Sequence, residues 1–285
     1  MKLSVIVPCL NAAETIGAQL EALTNQQWDQ PWEVIVADNG SADGSQAIAE
    51  RLRARLPNLR IVDASDRRGP AHAMNAGASA AVGEALAFCD ADDEVAPRWV
   101  AAMGEALSTY DFVACRIDLE KLNPAWMQRR SPQDRDVQRY SYPPFLPHAG
   151  GGTLGVKRRI HEAVGGFDES LPYLQDTDYC WRIQLAGTAL HFVPDAVVHV
   201  RLRHTLPGVL RQALHWAEYN VLMYKRYRRF GMPRLTLREG MIGWWRLARS
   251  LLRVRSKADW ARWVWGFGWR VGRLRGSIKY RVVGL

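Results

Sequence analysis

Short apolar segments alternate with helix-length segments through residues 1–115, and this alternation restricts the possible folds more than any other feature of the sequence. The predicted strands are rich in Val and Ile and end at Pro, Asn, Asp or Gly; they cover 3–7, 33–37, 59–62, 85–89 and 112–115. Four segments of helical length separate them: 13–25, 44–56, 71–81 and 98–107. Because strand–helix alternation builds parallel sheets covered by helices, the sequence predicts an α/β fold with a mainly parallel central sheet.

The strand–helix alternation stops over 118–152, a segment that contains five prolines and the run Gly150-Gly151-Gly152. A long aperiodic segment inside a compact domain is typical of a functional lid or of a disordered segment, and we predict a mobile loop over the site. Regular secondary structure is predicted again after this segment: a strand over 153–156, helices near 158–164 and 176–185, and a strand pair at 189–193 and 196–200. These elements complete a predicted domain over 1–204.

Three of the predicted strands run into polar residues at their carboxyl ends. They are followed by Pro-Cys-Leu-Asn at 8–11, Asp-Asn-Gly-Ser at 38–41 and Asp-Ala-Asp-Asp at 90–93. Ligands of open α/β sheets bind outside these strand ends, so the three segments should converge on one site. The three aspartates repel one another unless a cation binds them, and Mg²⁺ or Mn²⁺ prefers such oxygen ligands together with substrate phosphates. The alternative is an acidic turn or helix cap.

Six segments, taken in order, resemble the family 2 glycosyltransferases of the A-type fold. They are SVIVPCLNAAETI, VIVADNGSADGS, RGPAHAMNAG, AFCDADDEV, GGFDESLPYLQDTDYCWRIQLAG and VPDAVVHV, and they cover roughly residues 1–200. The resemblance implies a Rossmann-like sandwich, a nucleotide-sugar donor, a Mn²⁺ or Mg²⁺ cofactor and inversion at the anomeric carbon. We also expect the loop over 118–152 to lie on the acceptor side.

The resemblance further implies a donor pocket, formed by the residues that match the family's binding motifs: Pro8, Asn11, Glu14, Asp38, Asn39, Arg68, Asn75 and Asp90. Asp38 matches the first acid of a paired motif that contacts the base and ribose. Asn39 replaces the second acid, and an amide offers a different hydrogen-bonding pattern from a carboxylate. UDP-, dTDP- and GDP-linked sugars therefore all stay open as donors.

For catalysis, the resemblance assigns Asp176 as the general base, although Gln175 stands where the family usually has Glu. It assigns Asp90 and Asp92 to the metal, Asp92 more directly, with His199 as an additional ligand. Arg182 matches a residue near the acceptor or diphosphate, and His148 is a weaker acceptor-site candidate. The alternatives are that Asp176 caps a helix, that Arg182 pairs with Asp178 one turn away, and that His199 is structural.

The formal charge is distributed unevenly along the chain. Residues 201–285 carry 20 Lys and Arg against 3 Asp and Glu, whereas residues 1–200 carry 18 basic and 26 acidic residues. Apolar stripes rich in Trp alternate with Arg over 205–285, a pattern typical of amphipathic helices in an anionic membrane interface. We therefore expect a helical, basic extension that binds the inner face of the cell membrane. The alternatives are packing on the catalytic domain or on a second subunit, with nucleic-acid binding ranked last and not expected.

Glycines at 266, 268, 272 and 276 argue against a long rigid helix in this extension. The four cysteines lie far apart without metal-ligand spacing, which favours a reducing compartment and a cytoplasmic enzyme. We expect neither a signal peptide nor a transmembrane helix.

The sequence thus predicts a metal-dependent inverting glycosyltransferase that acts on a glycan or lipid-linked acceptor in surface polysaccharide or glycolipid synthesis. Two alternatives are a catalytically inactive membrane-bound scaffold and a nucleotidyltransferase. The latter usually needs a basic phosphate loop, and residues 8–17 contain no Lys or Arg.

Overall fold

The computed structural model describes residues 3–127 and 145–284. Residues 128–144 of the predicted loop over 118–152 lie outside the described residues. The described chain separates into two compact units. The first contains residues 3–122 and 147–201, and the second contains residues 123–127, 145–146 and 202–284.

The first unit is a single twisted sheet with helices on its faces. Its strands are β1 (Leu3–Cys9), β2 (Trp32–Asp38), β3 (Leu59–Asp63), β4 (Ala85–Phe88), β5 (Glu94–Val95), β6 (Phe112–Asp118), β7 (Leu154–Lys157) and β8 (His191–His199). Its helices are α1 (Ile16–Thr24), α2 (Ser45–Leu52), α3 (Pro70–Ala80), α4 (Trp99–Thr109), α5 (Arg158–Ala163) and α6 (Gln175–Leu185).

The strand order is β3-β2-β1-β4-β7-β6-β8-β5. The pairs β3–β2, β2–β1, β1–β4 and β6–β8 are parallel, whereas β7 and β5 pair antiparallel with their neighbours. The central strands are buried on both faces, as the continuous apolar run over residues 34–37 of β2 requires. The predicted α/β fold with a mainly parallel sheet is confirmed.

Two details of the sheet differ from the prediction. The two-residue strand β5 was not expected, and the strands predicted at 189–193 and 196–200 are one strand, β8. Its register against β6 moves from Cys115↔Val193 to Arg116↔Val197, so residues 194–196 leave the ladder. Pro194 explains the break, because it has no N–H to donate to the neighbouring strand.

The second unit contains three long helices, α7 (Leu206–Tyr227), α8 (Leu237–Leu251) and α9 (Lys257–Tyr280). The expectation that glycines interrupt the last of these is wrong. Gly268, Gly272 and Gly276 form a stripe that packs successively on residues 210–213, 214–217 and 218–221, so α9 runs parallel to α7. Helix α8 runs back along α9, where the carbonyl of Leu247 accepts the indole N–H of Trp263 at 3.2 Å.

The glycine stripe lets the backbones of α7 and α9 approach closely. A Cβ at position 276 would lie 2.7 Å from the carbonyl oxygen of Glu218, and one at position 268 would lie 2.9 Å from Cβ of Ala213. Tight helix packing therefore offsets the low helix propensity of glycine. Among the helices of residues 3–127 and 145–284, none has the length and apolar character needed to cross a bilayer.

Candidate active site

Three carboxyl groups lie together just after β4. Asp90, Asp92 and Asp93 each offer one oxygen, and these oxygens all lie within 4.8 Å of one another. Burial, together with the charges of Asp92 and Asp176, raises the pKa of Asp90 to about 7. Burial likewise raises the pKa of Asp93 well above its ordinary value. The group is therefore unfavourable as three bare carboxylates, and its all-oxygen donor set fits a hard divalent cation such as Mg²⁺ or Mn²⁺.

The acidic turn is held at both ends by one residue that the sequence analysis missed. Gln19 on α1 is fully buried; its Nε2 donates to the Asp90 carbonyl at 3.0 Å and its Oε1 accepts the N–H of Val95 at 3.0 Å. Arg201 adds two contacts, from its N–H to Asp93 Oδ1 at 2.8 Å and from Nε to the Asp92 carbonyl at 3.1 Å. A polar residue inside the apolar stripe of α1 was the available signal for Gln19.

The glycine run at residues 150–152 lies against both Asp90 and Asp176. Gly151 donates its N–H to Asp176 Oδ2 at 3.2 Å, and a Cβ at position 152 would lie 2.6 Å from Cγ of Asp90. Asp176 is not the N-cap of α6, because the helix begins at Gln175 after Leu174. Burial raises the pKa of Asp176 above that of an ordinary aspartate. The structure thus brings the metal-type cluster and the predicted base to one place.

The ends of β1 and β2 are joined by side-chain hydrogen bonds. Asp38 Oδ1 accepts from Ser41 Oγ at 2.5 Å, and Ser41 Oγ accepts the N–H of Asn11 at 3.0 Å. Asn11 has a left-handed backbone with φ of 50°, and its Oδ1 accepts the N–H of Ala42 at 2.9 Å. Pro8 lies at the end of β1 opposite Ala37 in β2. Glu14, which lies just before α1, is exposed.

Asn39, predicted to contact the donor, instead forms hydrogen bonds to the loop that precedes α3. Its amide nitrogen donates to the carbonyls of Ala64 at 2.5 Å and Arg67 at 2.7 Å, and its oxygen accepts the N–H of Gly69 at 2.8 Å. Both amide protons are thereby used inside the protein. Asn39 therefore shapes the loop before α3, where Arg68 is exposed with its guanidinium near Gly40.

Asn75, predicted to lie where the chain approaches the donor sugar and diphosphate, likewise forms hydrogen bonds within the protein. Its Nδ2 donates to the Phe167 carbonyl and to Glu169 Oε1, both at 2.9 Å, and its Oδ1 accepts the N–H of Phe167 at 2.9 Å. Glu169 also contacts His72 Nδ1 at 3.0 Å and Arg67 at 2.9 Å. The network ties α3 to the GGFDES segment.

Arg182, predicted to lie near the acceptor or diphosphate, forms hydrogen bonds within the protein. Nε donates to Asp178 Oδ2 at 2.7 Å, and the two terminal nitrogens donate to the carbonyls of Val164 at 2.6 Å and Gly166 at 2.7 Å. The alternative of an i,i+4 pair with Asp178 is therefore the observed one. Arg182 positions the segment that precedes α6.

Neither predicted histidine joins the aspartates. His199 Nδ1 contacts Asp118 Oδ1 at 2.9 Å, and the residue is not part of the oxygen cluster found in residues 3–127 and 145–284. His148 is buried edge-on to Trp181, with ring centroids 6.1 Å apart, and burial lowers its pKa to about 4. All four cysteines are buried and unpaired, as expected of small core side chains.

These motifs lie in a part of the chain that matches known proteins. The family model described as glycosyl transferase family 2 matches residues 4–165. The chain is 29% identical over 197 residues to glycosyltransferase AglE of Haloferax volcanii, which is 68% of this chain and 65% of the relative. It is 35% identical over 130 residues to the uncharacterized glycosyltransferase YibD of Escherichia coli, which is 46% of this chain and 36% of the relative. The chain thus spans less than two thirds of either relative.

Solved structures share the fold at low identity. The mannosyltransferase PcManGT from Pyrobaculum calidifontis, in complex with GDP-Man and Mn²⁺, has a TM-score of 0.60 and 21% identity, covering 97% of this chain and 73% of its own. S. aureus TarS 1-349 in complex with UDP-GlcNAc has a TM-score of 0.56 and 18% identity, covering 99% and 93%. These likenesses confirm the predicted A-type sandwich.

Proposed function

The chain belongs to glycosyl transferase family 2, and from that premise we propose that it is a metal-dependent inverting glycosyltransferase. It moves a sugar from a nucleotide-sugar donor to a hydroxyl group of a glycan or lipid-linked acceptor. The observation that carries the proposal is the pairing of the Asp90-Asp92-Asp93 cluster with Asp176 across the glycine run. The cluster suits the binding of a cation, and Asp176 suits proton transfer.

Asp90 and Asp92 would hold the Mn²⁺ or Mg²⁺ ion, which supplies positive charge to the leaving nucleoside diphosphate. Gln19 and Arg201 fix the backbone of this turn, so the carboxyl oxygens are oriented before the ligand arrives. The donor complexes of PcManGT with GDP-Man and of TarS with UDP-GlcNAc support a nucleotide sugar as donor. Since those two proteins differ in nucleobase, UDP, dTDP and GDP sugars all remain candidates.

Asp176 takes the proton of the acceptor hydroxyl as the sugar moves. A buried carboxylate with a raised pKa is a stronger base than an exposed one, which favours this proton transfer. The N–H groups of Gly151 and Thr177, at 3.2 and 2.7 Å from its two oxygens, hold the carboxylate in one orientation. Direct attack assisted by one base inverts the anomeric centre. The proposed acceptor belongs to the synthesis of a surface polysaccharide or glycolipid.

The test is release of nucleoside diphosphate from a panel of UDP-, dTDP- and GDP-linked sugars, with Mn²⁺, with Mg²⁺ and with chelator. We expect release from one donor that depends on the metal and is lost in Asp92→Asn. Asp29→Asn changes an exposed aspartate and is the matched control. Calorimetric titration of the same donors measures binding in the absence of acceptor.

Release that Asp92→Asn leaves unchanged would overturn the metal assignment. Donor binding without release, even with a panel of glycan and lipid-linked acceptors, would favour an inactive scaffold. Transfer of the nucleotidyl group, with pyrophosphate as the product from a nucleoside triphosphate, would favour a nucleotidyltransferase.

A further inference from the structure

We propose that helix α8, together with the adjoining face of α9, docks on the surface of an anionic lipid bilayer. This inference concerns the second unit and does not depend on the proposed transfer reaction. It rests on an apolar face that the helices leave exposed, and on the positive charge beside that face.

Helix α8 exposes a continuous apolar face. At 3.6 residues per turn, seven apolar side chains fall within an arc of about 120°. They are Leu237, Met241, Trp244, Trp245, Ala248, Leu251 and Leu252; except for the small Ala248, each is between 36% and 84% exposed. The side of α8 that adjoins this face, at Gly240 and Gly243, is buried. An exposed apolar face of this size on an ordered helix marks an interaction surface.

The apolar face continues onto α9. Trp244 meets Phe267 with ring centroids 6.4 Å apart, and Phe267 stacks on Trp263 at 5.4 Å with an interplanar angle of 8°. Trp260, Phe267, Leu274 and Ile278 on α9 are exposed as well. The glycine stripe on the other side of α9 is already filled by α7. The exposed face is therefore not the surface on which this helix pair assembles.

Basic side chains border the apolar face. Arg238 and Arg249 follow Trp245 around the helix, and the guanidinium of Arg249 lies 4.6 Å from the Trp245 ring centroid. The three acidic residues of 201–284 are engaged elsewhere: Glu218 with Lys279, Glu239 with Thr236, and Asp259 in the capping box of α9. Helix α8 carries three arginines, Arg238, Arg246 and Arg249, against one acidic residue, Glu239 in its first turn.

The combination of an apolar face with a basic border favours an anionic bilayer over a second copy of the chain or a single-stranded nucleic acid. Trp and Leu side chains insert into the region between headgroups and acyl chains, while neighbouring arginines remain at the anionic headgroups. A second copy of the chain would bring two equally basic borders together and would be repelled. Single-stranded nucleic acid binds basic grooves with separate stacking positions, whereas here the aromatic rings stack on one another within an aliphatic face.

The test is co-sedimentation of the full chain with sucrose-loaded vesicles of phosphatidylcholine alone or mixed equally with phosphatidylglycerol. We expect binding to the anionic vesicles, weakened by salt. The variant Met241→Gln/Trp245→Gln/Leu252→Gln should bind at least about tenfold more weakly, because three exposed apolar groups leave the interface. Arg238→Gln/Arg249→Gln should weaken binding by about fivefold per arginine and flatten its salt dependence.

Val82→Gln/Leu185→Gln removes two exposed apolar side chains of the first unit and is the matched control. Circular dichroism checks that each variant is folded. Equal vesicle binding by the α8 variant and the wild type would overturn the proposal, as would equal binding to neutral and anionic vesicles. A dimer that the α8 variant converts to monomer in light scattering, without vesicle binding, would assign the face to a second copy. Binding of single-stranded RNA but not vesicles would assign it to nucleic acid.

Discussion

The α-carbon of Gly152 lies directly against the carboxyl group of Asp90. A methyl group at position 152 would lie 2.6 Å from both Cγ and Oδ2 of Asp90 and 2.9 Å from its backbone nitrogen. These distances are too short for any ordinary contact, so either the glycine segment or the acidic turn would have to move. Only glycine at this position allows both to keep their observed places.

Gly152→Ala should therefore lower the transfer rate about 10- to 100-fold, since displacement of Asp90 misplaces the metal and donor. Gly150→Ala is the matched control, because a Cβ there has no neighbour within 4 Å and its φ of −66° suits alanine. Steady-state kinetics with varied Mn²⁺ measures both variants. Equal activity of the two would contradict the role assigned to this contact.

Asp176→Asn should reduce transfer by about 10²- to 10⁴-fold, because an amide cannot take the acceptor proton. Donor and metal binding should stay close to wild type in calorimetry, since the amide keeps the size of the side chain. Asp195→Asn, at an exposed position of β8, is the control. If Asp176→Asn transfers sugar at the wild-type rate, Asp176 is not the base.

Arg182→Gln should destabilise the protein by about 3–5 kcal/mol, because it removes the guanidinium that pairs with the buried carboxylate of Asp178. The side chain of Asp178 is only 2% exposed. Arg182→Gln/Asp178→Asn should recover part of the loss, since the buried charge is removed as well. Urea unfolding of the two single variants and the double variant gives the coupling energy. A stable Arg182→Gln protein with weakened diphosphate binding would instead favour the original prediction for this residue.

Gly272→Ala should destabilise the second unit by about 1–3 kcal/mol, because the methyl group would overlap the carbonyl oxygen of Leu214 and Cβ of Ala217. Gly17→Ala provides a contrast within another helix: its methyl group would lie 3.6 Å from Cγ2 of Ile48, an ordinary contact. That variant should be neutral or more stable by up to about 1 kcal/mol, since alanine favours helices. Thermal unfolding compares them, and an unchanged Gly272→Ala would mean that α7 and α9 are not closely packed in solution.

His161 should make stability depend on pH. Burial, with the charges of Arg158 and Arg182, lowers its pKa from 6.5 to about 4. The unfolded chain therefore binds more protons between these values, so stability is present above pH 6.5 and is lost as pH falls towards 4. The loss approaches about 1.4 kcal/mol per pH unit within this window. The difference in unfolding free energy between wild type and His161→Gln, measured from pH 7 to 4.5, isolates this contribution from that of the acidic cluster.

His204→Gln, at an exposed position of the second unit, is the matched control. His161 Nδ1 contacts the hydroxyl of Tyr179 at 2.8 Å, so His161→Gln also changes stability at neutral pH. The slope, rather than the absolute value, is therefore the informative quantity. Parallel profiles for wild type and His161→Gln would contradict the lowered pKa.

Local patterns in the sequence determined the sheet and the place of the site. Apolar strands that end at Asp38 and Asp90 bring polar side chains to the same side of a parallel sheet, and this follows from strand direction alone. The cluster Asp90-Asp92-Asp93 is contiguous, so proximity in the chain was enough to predict that its carboxyl groups lie together. The break at Pro194 was also marked in the sequence, although its result was one irregular strand instead of two.

Only the tertiary structure decided which polar side chains face a ligand and which hold the protein together. Asn39 contacts Ala64, 25 residues away, and Asn75 contacts Phe167, 92 residues away. Nothing near Asn39 or Asn75 in the sequence identifies such partners, because hydrogen bonds of this kind depend on how distant segments meet. The same holds for Gln19 beneath the acidic turn and for the glycines of α9. The sequence therefore determined where the site lies, and packing between distant segments decided which of its polar residues remain available for chemistry.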